Sequence, residues 1–301
     1  MATILSSRMF APLAGLMLFA AVARGEEPPP AAAPANARAN VQKVPTTVSG
    51  QYEHGTLVSM RVGDRIAYLI KPKGEVDSER RWIWDFPFWL AIKDGFGSIA
   101  HQFYVERALA AGFHVAGVDV GASFASPAAA DVCQGFYTLL TTEYRLHPRA
   151  RLLCHSHGGL LAYGWALRHP TCVDRIAGMC PAIDFRTYPG LSSVASVPAK
   201  DLGYDLPLAE LEKRASEFNP IDNLAPLAKA GVKIMHLHGD HDTLVPTEAN
   251  ATELGRRYQK LNGNAEIVVL KGLGSERATS RGHDGPELYN SARLIEFLLA
   301  K

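Results

Sequence analysis

The sequence contains few cysteines and has no excess of charge of either sign. Its 301 residues include 4 cysteines, and no two of them form a Cys-x-x-Cys pair of the kind used in zinc or dithiol redox sites. Lysine and arginine number 31 against 30 aspartates and glutamates, for a formal net charge of +1. This composition excludes a disulfide-built scaffold and disfavours a nucleic-acid partner.

What the chain does have is enough apolar sequence for a large core. Apolar residues make up 47% and charged residues 20% of the sequence, which excludes a mainly disordered protein.

The four cysteines are open to two interpretations, either one or two disulfides in an oxidising compartment or four small buried thiols, and the second is favoured. They are Cys133, Cys154, Cys172 and Cys180.

The N-terminal segment has the pattern of an export signal. An apolar run over 9–23 is followed by small residues, which predicts a signal peptide over residues 1–25. The run is short for a membrane span and contains Pro12, so we expect no stable membrane insertion after cleavage. Proline and alanine dominate residues 26–45, which predicts a linker before a folded domain over 46–301. The expected location is secreted or periplasmic.

Strand and helix patterns alternate along the rest of the chain. Strands are predicted over 56–63, 65–72, 81–86, 113–120, 150–155, 174–181, 233–239 and 266–271. Helices are predicted over 96–111, 131–146, 157–169 and 247–262, with a last helix that carries Leu288, Ala292, Ile295 and Leu299 on one face. An opening hairpin followed by repeated β-α units predicts an α/β fold, a mostly parallel central sheet flanked by helices.

One interval does not follow the alternation. Residues 182–221 come after the strand that ends near Pro181, are rich in proline, glycine and serine, and are too long for a simple connection. The insertion is either a lid over a site or an inert excursion. Its place after a strand, at the sheet edge where ligands bind in such folds, favours the lid.

The strongest chemical signal is CHSHGG, which lies between a predicted strand and a predicted helix. A serine hydroxyl needs a base to accept its proton and N–H donors to stabilise an oxyanion. A tight turn from strand to helix exposes the hydroxyl and brings the next N–H to a helix N-terminus. Ser156 has the small Cys154 two residues before it and Gly158 two residues after it, so it is the predicted nucleophile.

With these motifs the chain resembles the α/β-hydrolase superfamily, especially exported bacterial serine hydrolases of the prolyl-oligopeptidase-like and dienelactone-hydrolase-like branches. The resemblance covers residues 50–300 and rests on WIWDFPFW, GFHVAGVDVG, CHSHGG, NPIDNLAPLAKAGVKIMHLHGDHDTLVP and the late Gly-His. It implies an α/β-hydrolase fold and a catalytic triad of Ser156, Asp242 and His283 in that order. It implies no metal and no organic cofactor. Asp240 is expected to shape the turn before Asp242.

The resemblance also implies an oxyanion hole and suggests a substrate. One N–H should come from His157, and a second from the segment after RWIW, at Asp85 or Phe86. Trp84 and Trp89 belong to an aromatic cluster that either packs in the core or contacts substrate. Core packing is favoured for any single ring, but we expect at least one substrate contact from the cluster, and Trp84 and Trp89 are the residues predicted to make it. The expected reaction is hydrolysis of a small-molecule ester, carbohydrate-linked or aryl, through an acyl-enzyme.

Three alternatives remain. The first is a small peptidase of the prolyl-oligopeptidase-like type, and the second is a binding protein that uses the fold without catalysis. The third is a dinuclear metal hydrolase, because His236, His238, Asp240 and His241 fit an H-x-H-x-D-H spacing. That motif occurs too late in the chain, with only one histidine after it.

Overall fold

The computed structural model describes residues 52–86, 101–273 and 281–301. The predicted signal peptide (1–25), the predicted linker (26–45) and the first residues of the predicted domain lie outside the described residues. Within the described segments, every helix is too short or too polar to span a bilayer.

The described residues form one eight-stranded sheet. The strands are β1 (Gly55–Val62), β2 (Arg65–Pro72), β3 (Trp82–Phe86), β4 (His114–Val118), β5 (Ala150–His155), β6 (Val173–Met179), β7 (Lys233–Gly239) and β8 (Ala265–Leu270). Their order across the sheet is β1-β2-β4-β3-β5-β6-β7-β8. The β1-β2 and β2-β4 pairs are antiparallel, and all later pairs are parallel. This confirms the predicted hairpin and the predicted parallel sheet, and all eight predicted strands agree with the observed ones to within two residues.

Helices cover both faces of this sheet. They are α1 (Gln102–Ala110), α2 (Pro127–Thr142), α3 (Gly158–Ala166), α4 (Leu191–Ala195), α5 (Leu208–Phe218), α6 (Ala225–Lys229), α7 (Glu253–Lys260), α8 (Pro286–Tyr289) and α9 (Ala292–Leu299). Alternate residues of β3 point to opposite faces: Trp82 and Trp84 join a core layer with α2 and α3, whereas Ile83 joins the layer under α1 and α9. Strands β3, β4 and β5 are buried along their whole length, as expected of central strands covered on both sides.

Three helix predictions were wrong in their boundaries. The helix predicted over 157–169 ends at Ala166. The second helix begins at Pro127 and not at 131, because the Ser126 side chain accepts a hydrogen bond from the Ala129 N–H and proline is favoured in a first helical turn. The last helix is broken in two, and Ser291 caps the start of α9 by accepting from the Leu294 N–H. Leu288 therefore lies on α8, not on one continuous helical face.

All four cysteines are free thiols, and three of them are buried. Their burial in the sheet and in the helices against it agrees with the favoured interpretation, that of small apolar core residues.

Candidate active site

Ser156 lies on a strained turn between β5, which ends at His155, and α3, which begins at Gly158. Its φ is +53°, a left-handed conformation that is uncommon for serine. Two hydrogen bonds to neighbouring chain segments hold it: the Ser156 N–H donates to the Met179 carbonyl at 3.0 Å, and its carbonyl accepts from the Ala182 N–H at 2.9 Å. Strain of this kind persists only when the surroundings enforce it, and it presents the hydroxyl above the sheet.

The small residues around Ser156 allow the turn to pack closely. A Cβ on Gly159 would lie 2.5 Å from the Ala182 carbonyl oxygen and 2.6 Å from the Pro181 Cβ, so only glycine fits there. At the earlier position, Cys154 is fully buried and its Sγ lies 3.5 Å from the Ala177 carbonyl oxygen. The core beside the turn therefore accommodates the Cys154 side chain.

The structure brings the three predicted triad residues together. The Ser156 Oγ lies 2.8 Å from the His283 Nε2, and the His283 Nδ1 lies 2.7 Å from the Asp242 Oδ2. The other carboxylate oxygen of Asp242 accepts from the backbone N–H groups of Leu244 and Val245 at 2.9 and 2.8 Å. Ser156, His283 and Asp242 are 2%, 6% and 7% exposed, so these hydrogen bonds are largely shielded from water.

The loop that carries His283 docks directly on the loop that carries Asp242. The Thr243 N–H donates to the Arg281 carbonyl at 2.9 Å. Gly282 has a φ of +73°, and a Cβ there would lie 2.6 Å from the His241 carbonyl carbon. A glycine directly before His283 is thus what lets two sequence-distant loops meet closely enough for the Asp242–His283 hydrogen bond.

Asp240 has a different environment from Asp242. Its Oδ1 accepts from the Gly272 N–H at 2.9 Å, which links the turn after β7 to the turn after β8. This agrees with the turn-shaping role expected of it.

The H-x-H-x-D-H motif does not assemble into a ligand set within the described segments. The His236 Nε2 is 2.9 Å from the Tyr163 hydroxyl in the core, whereas the His241 side chain is 81% exposed. The minor alternative of a dinuclear metal hydrolase therefore lacks its site. Among the described residues, one group of possible metal-ligand atoms lies within 4.8 Å of one another. These atoms belong to Cys180, Asp242 and His283. Two of these residues are already hydrogen-bonded to each other.

The expected oxyanion-hole residues flank Ser156. His157 directly precedes α3, so its backbone N–H lies at the N-terminus of that helix. Phe86 is the last residue of β3 and pairs with Cys154, two residues before Ser156. Asp85 pairs with Leu153, and its carboxylate accepts from the Tyr68 hydroxyl at 2.8 Å and contacts the His101 Nδ1. The side chain of Asp85 is thus held within the core, and only its backbone remains for the predicted role.

The prediction that Trp84 contacts substrate is wrong. Its side chain is fully buried on the face of the sheet under α2 and α3, with ring centroids 4.6 Å from Trp165 and 5.0 Å from Phe86. The alternating aromatic residues of β3 pack in the core on that face of the sheet. The second predicted substrate contact, Trp89, lies outside the described residues.

Residues 182–221 pack over the site and contribute a residue that sequence reasoning missed. The insertion contains α4 and α5, and its Phe185, Val194 and Leu211 share one apolar cluster with Leu160 and Val245 from outside the insertion. Its Tyr188 hydroxyl lies beside the Ser156 side chain, and burial raises the pKa of Tyr188, so the phenol stays protonated at neutral pH. Nothing in the local sequence marks Tyr188, because its role depends on how the insertion folds back.

Two buried asparagines anchor the start of this insertion. The Asn250 Oδ1 accepts from the N–H groups of Ile183 and Asp184 at 2.9 and 3.0 Å. The Asn219 Oδ1 accepts from the Phe185 N–H at 3.1 Å. Asn250 lies in a π-helical turn over Glu248–Thr252, just after the Asp242 loop. The predicted lid is therefore rooted at its base in the loops that carry the site.

The fold is shared with solved structures of low sequence identity. A puromycin-hydrolysing peptidase of Mycobacterium tuberculosis superposes with a TM-score of 0.54 at 13% identity over 78% of this chain and 36% of that one. Dipeptidyl peptidase 4 of Porphyromonas gingivalis gives 0.57 at 14% identity, over 81% and 35%. A truncated carbohydrate esterase from gut microbiota gives 0.56 at 16% identity, over 88% and 97%.

These similarities confirm the predicted α/β-hydrolase fold. The chain spans about a third of the length of the two peptidases and nearly the whole of the carbohydrate esterase. No protein-family model and no curated protein matches the sequence.

Proposed function

We propose that this chain is a serine hydrolase that cleaves a carboxylic ester through an acyl-enzyme. The observation that carries the proposal is the unbroken hydrogen-bonded line from the Ser156 Oγ through the His283 ring to the Asp242 carboxylate, at 2.8 and 2.7 Å. Separations of this length suit proton transfer between a nucleophile and its base.

Each group then has one chemical task. The Ser156 hydroxyl attacks the ester carbonyl while the His283 Nε2 takes its proton, and Asp242 orients the ring and stabilises the imidazolium. The His157 N–H and an N–H near Phe86 stabilise the tetrahedral oxyanion. His283 returns the proton to the leaving alcohol. A water molecule, deprotonated in turn by His283, releases the acid and restores Ser156.

The substrate proposal is an ester attached to a carbohydrate or an aryl group. A similarity to a carbohydrate esterase covers 88% of this chain and 97% of that one, which supports an ester substrate. A peptidase is the second candidate because two structural neighbours are peptidases, although the chain spans only about a third of each. Since Trp84 is in the core, an aryl preference now depends on residues other than Trp84.

A fluorophosphonate probe tests the nucleophile. We expect one covalent adduct, mapped by mass spectrometry to Ser156 in the purified protein. The adduct should be lost in Ser156→Ala and kept in Ser192→Ala, which removes an exposed hydroxyl from the insertion. If the probe does not react with a folded protein, or reacts at another serine, the proposal is refuted and a non-catalytic role is favoured.

A matched substrate pair separates the two hydrolase candidates. The same acyl group is offered as a p-nitrophenyl ester and as a p-nitroanilide, followed by acetylated sugars and feruloyl esters. Turnover of esters alone supports the esterase, and comparable turnover of the anilide supports the peptidase.

A further inference from the structure

The sheet edge opposite Ser156 holds a cavity of about 330 Å³ with a strongly basic lining. It lies where β5, β6 and β7 begin, whereas Ser156 and Asp242 follow the ends of strands. We call it the basic cavity. The basic residues that line it are Arg81, Arg149, Arg151, Arg175, Lys233 and Lys301. The acidic residues that line it are Glu79 and Asp174.

The floor of the basic cavity holds two buried guanidinium groups and one carboxylate. Arg151 and Arg175 are each 3% exposed. The Nε of each lies 2.9 Å from the same oxygen, the Oδ2 of Asp174. Burying charge away from water is costly unless it is paired, and a single carboxylate balances only one of these two cations. The floor is therefore left with uncompensated positive charge.

The other contacts of these arginines do not remove that charge. Arg151 donates to the Leu298 carbonyl and Arg175 to the Phe297 carbonyl, both at 2.6 Å. These carbonyls end α9, so the arginines also cap that helix. A helix C-terminus carries about half an elementary negative charge, which is less than the full negative charge of a carboxylate.

Two further cations stand at the rim. Arg149 donates from Nε and Nη2 to the Val173 carbonyl at 3.2 and 2.9 Å, and Lys233 is exposed. In the segments the structure describes, neither has a carboxylate within ion-pair distance, whereas Arg81 is paired with Asp77. The rim thus adds two cations whose charge is available to an occupant of the basic cavity.

We propose that the basic cavity binds a small multivalent anion that carries phosphoryl groups. The planar fork of a guanidinium matches phosphate oxygens in two-point hydrogen bonds, and Lys233 adds a mobile point charge. Arg151 and Arg175 form the floor, and Arg149 and Lys233 add positive charge at the rim. This site is separate from the triad and does not depend on its chemistry. A soluble phosphorylated compound and a lipid phosphate headgroup offer the same anion.

Calorimetry with inorganic pyrophosphate at low ionic strength tests the site. We expect binding that is tighter than that of inorganic phosphate, weakens with added salt and raises the Tm. The double variant Arg149→Gln/Lys233→Gln should weaken pyrophosphate binding by about tenfold or more. Lys271→Gln, which removes an exposed lysine at the other sheet edge, should leave binding unchanged. Absence of binding to the folded protein, or equal weakening by the control, overturns the proposal.

Vesicles distinguish the two sources of the anion. A lipid headgroup is supported if the protein cosediments with phosphatidic acid vesicles but not with phosphatidylcholine vesicles. That cosedimentation should be lost in the double variant and reduced by competing pyrophosphate. Pyrophosphate binding without vesicle binding supports a soluble ligand. Ser156→Ala should bind pyrophosphate as the unaltered protein does, so failure of the esterase proposal and failure of this one give different results.

Discussion

The His155 and His283 rings lie face to face, with centroids 5.9 Å apart and planes 20° apart. The residue that directly precedes the nucleophile therefore packs beside the ring that contacts it. Burial lowers the pKa of His155 well below its usual range, so this imidazole is neutral. Within the described segments neither of its ring nitrogens has a hydrogen-bond partner, which points to a packing role.

This contact predicts a difference between two substitutions at His155. His155→Phe keeps a flat ring against His283 and should retain most of the kcat on an ester substrate. His155→Ala leaves a cavity beside His283 and should lower kcat about tenfold, because a misplaced base loses its alignment. Steady-state kinetics with circular dichroism as the folding check measures both. Equal losses in the two variants would contradict a packing role.

Asp242→Asn should lower kcat by about 10⁴-fold, because an amide cannot stabilise the imidazolium and favours the wrong His283 tautomer. Asp240→Asn is the matched control, because the Asp240 carboxylate accepts a hydrogen bond from the Gly272 N–H in a turn. It should keep most of the activity. A loss as large in the control as in Asp242→Asn would show that the acid has been misassigned.

Tyr188→Phe should lower kcat/KM by about two- to tenfold, the range expected for loss of one hydrogen-bonding group, because it removes a hydroxyl beside the Ser156 side chain. Tyr204→Phe is the comparison in the same insertion, where the hydroxyl donates to the Phe124 carbonyl at 2.7 Å. That variant should lose some stability and little activity. The role given to Tyr188 fails if Tyr188→Phe changes the Tm but not kcat/KM.

Gly159→Ala should destabilise the protein by about 1–3 kcal/mol and impair ester turnover, because its Cβ would meet the Ala182 carbonyl oxygen at 2.5 Å. Gly135→Ala lies in α2, where the nearest heavy atom to a new Cβ is 3.7 Å away. That change should be neutral or stabilising by up to about 1 kcal/mol, as is usual in a helix interior. Urea unfolding with activity assays decides between these outcomes, and equal effects at both glycines would contradict the packing described at Ser156.

Stability should fall as the pH is lowered from about 6.5 towards 4. Burial lowers the pKa of His157 from 6.5 to about 4 and that of His236 to about 3. In this window the unfolded chain binds protons that the folded chain does not, so each group removes up to about 1.4 kcal/mol per pH unit. Above pH 6.5 these histidines are neutral in both the folded and the unfolded chain, so they add no pH dependence to the stability.

The measurement is the free energy of unfolding against pH. His236→Gln should make the slope between pH 6.5 and 4 shallower, whereas His241→Gln removes an exposed histidine and should leave it unchanged. A slope that is the same in all three proteins would show that His236 is protonated in the folded state.

Much of the fold could be predicted because it depends on short-range patterns. Apolar runs of strand length, turn glycines and the CHSHGG turn reflect local sterics and burial, and the eight strands were found to within two residues. The break before α9 escaped prediction because the cap at Ser291 competes with an apolar periodicity that continues through it.

The candidate site could be predicted only in part. The order Ser156, Asp242, His283 was available through resemblance, since each residue follows a recognisable strand or glycine. Trp84 was misread because a strand of aromatic residues looks the same whether its rings face substrate or helices, and only the helix packed against it decides.

By itself, the sequence determined the strand and helix segments, the turn at Ser156 and the identity of the three groups that could act together. Only the tertiary structure decided that Tyr188 of the insertion lies beside Ser156, that Trp84 is core, and that arginines from separate strand starts surround one cavity. The reason is physical: local conformation follows from neighbouring residues, whereas convergence of side chains far apart in the chain depends on packing of the whole sheet and its helices.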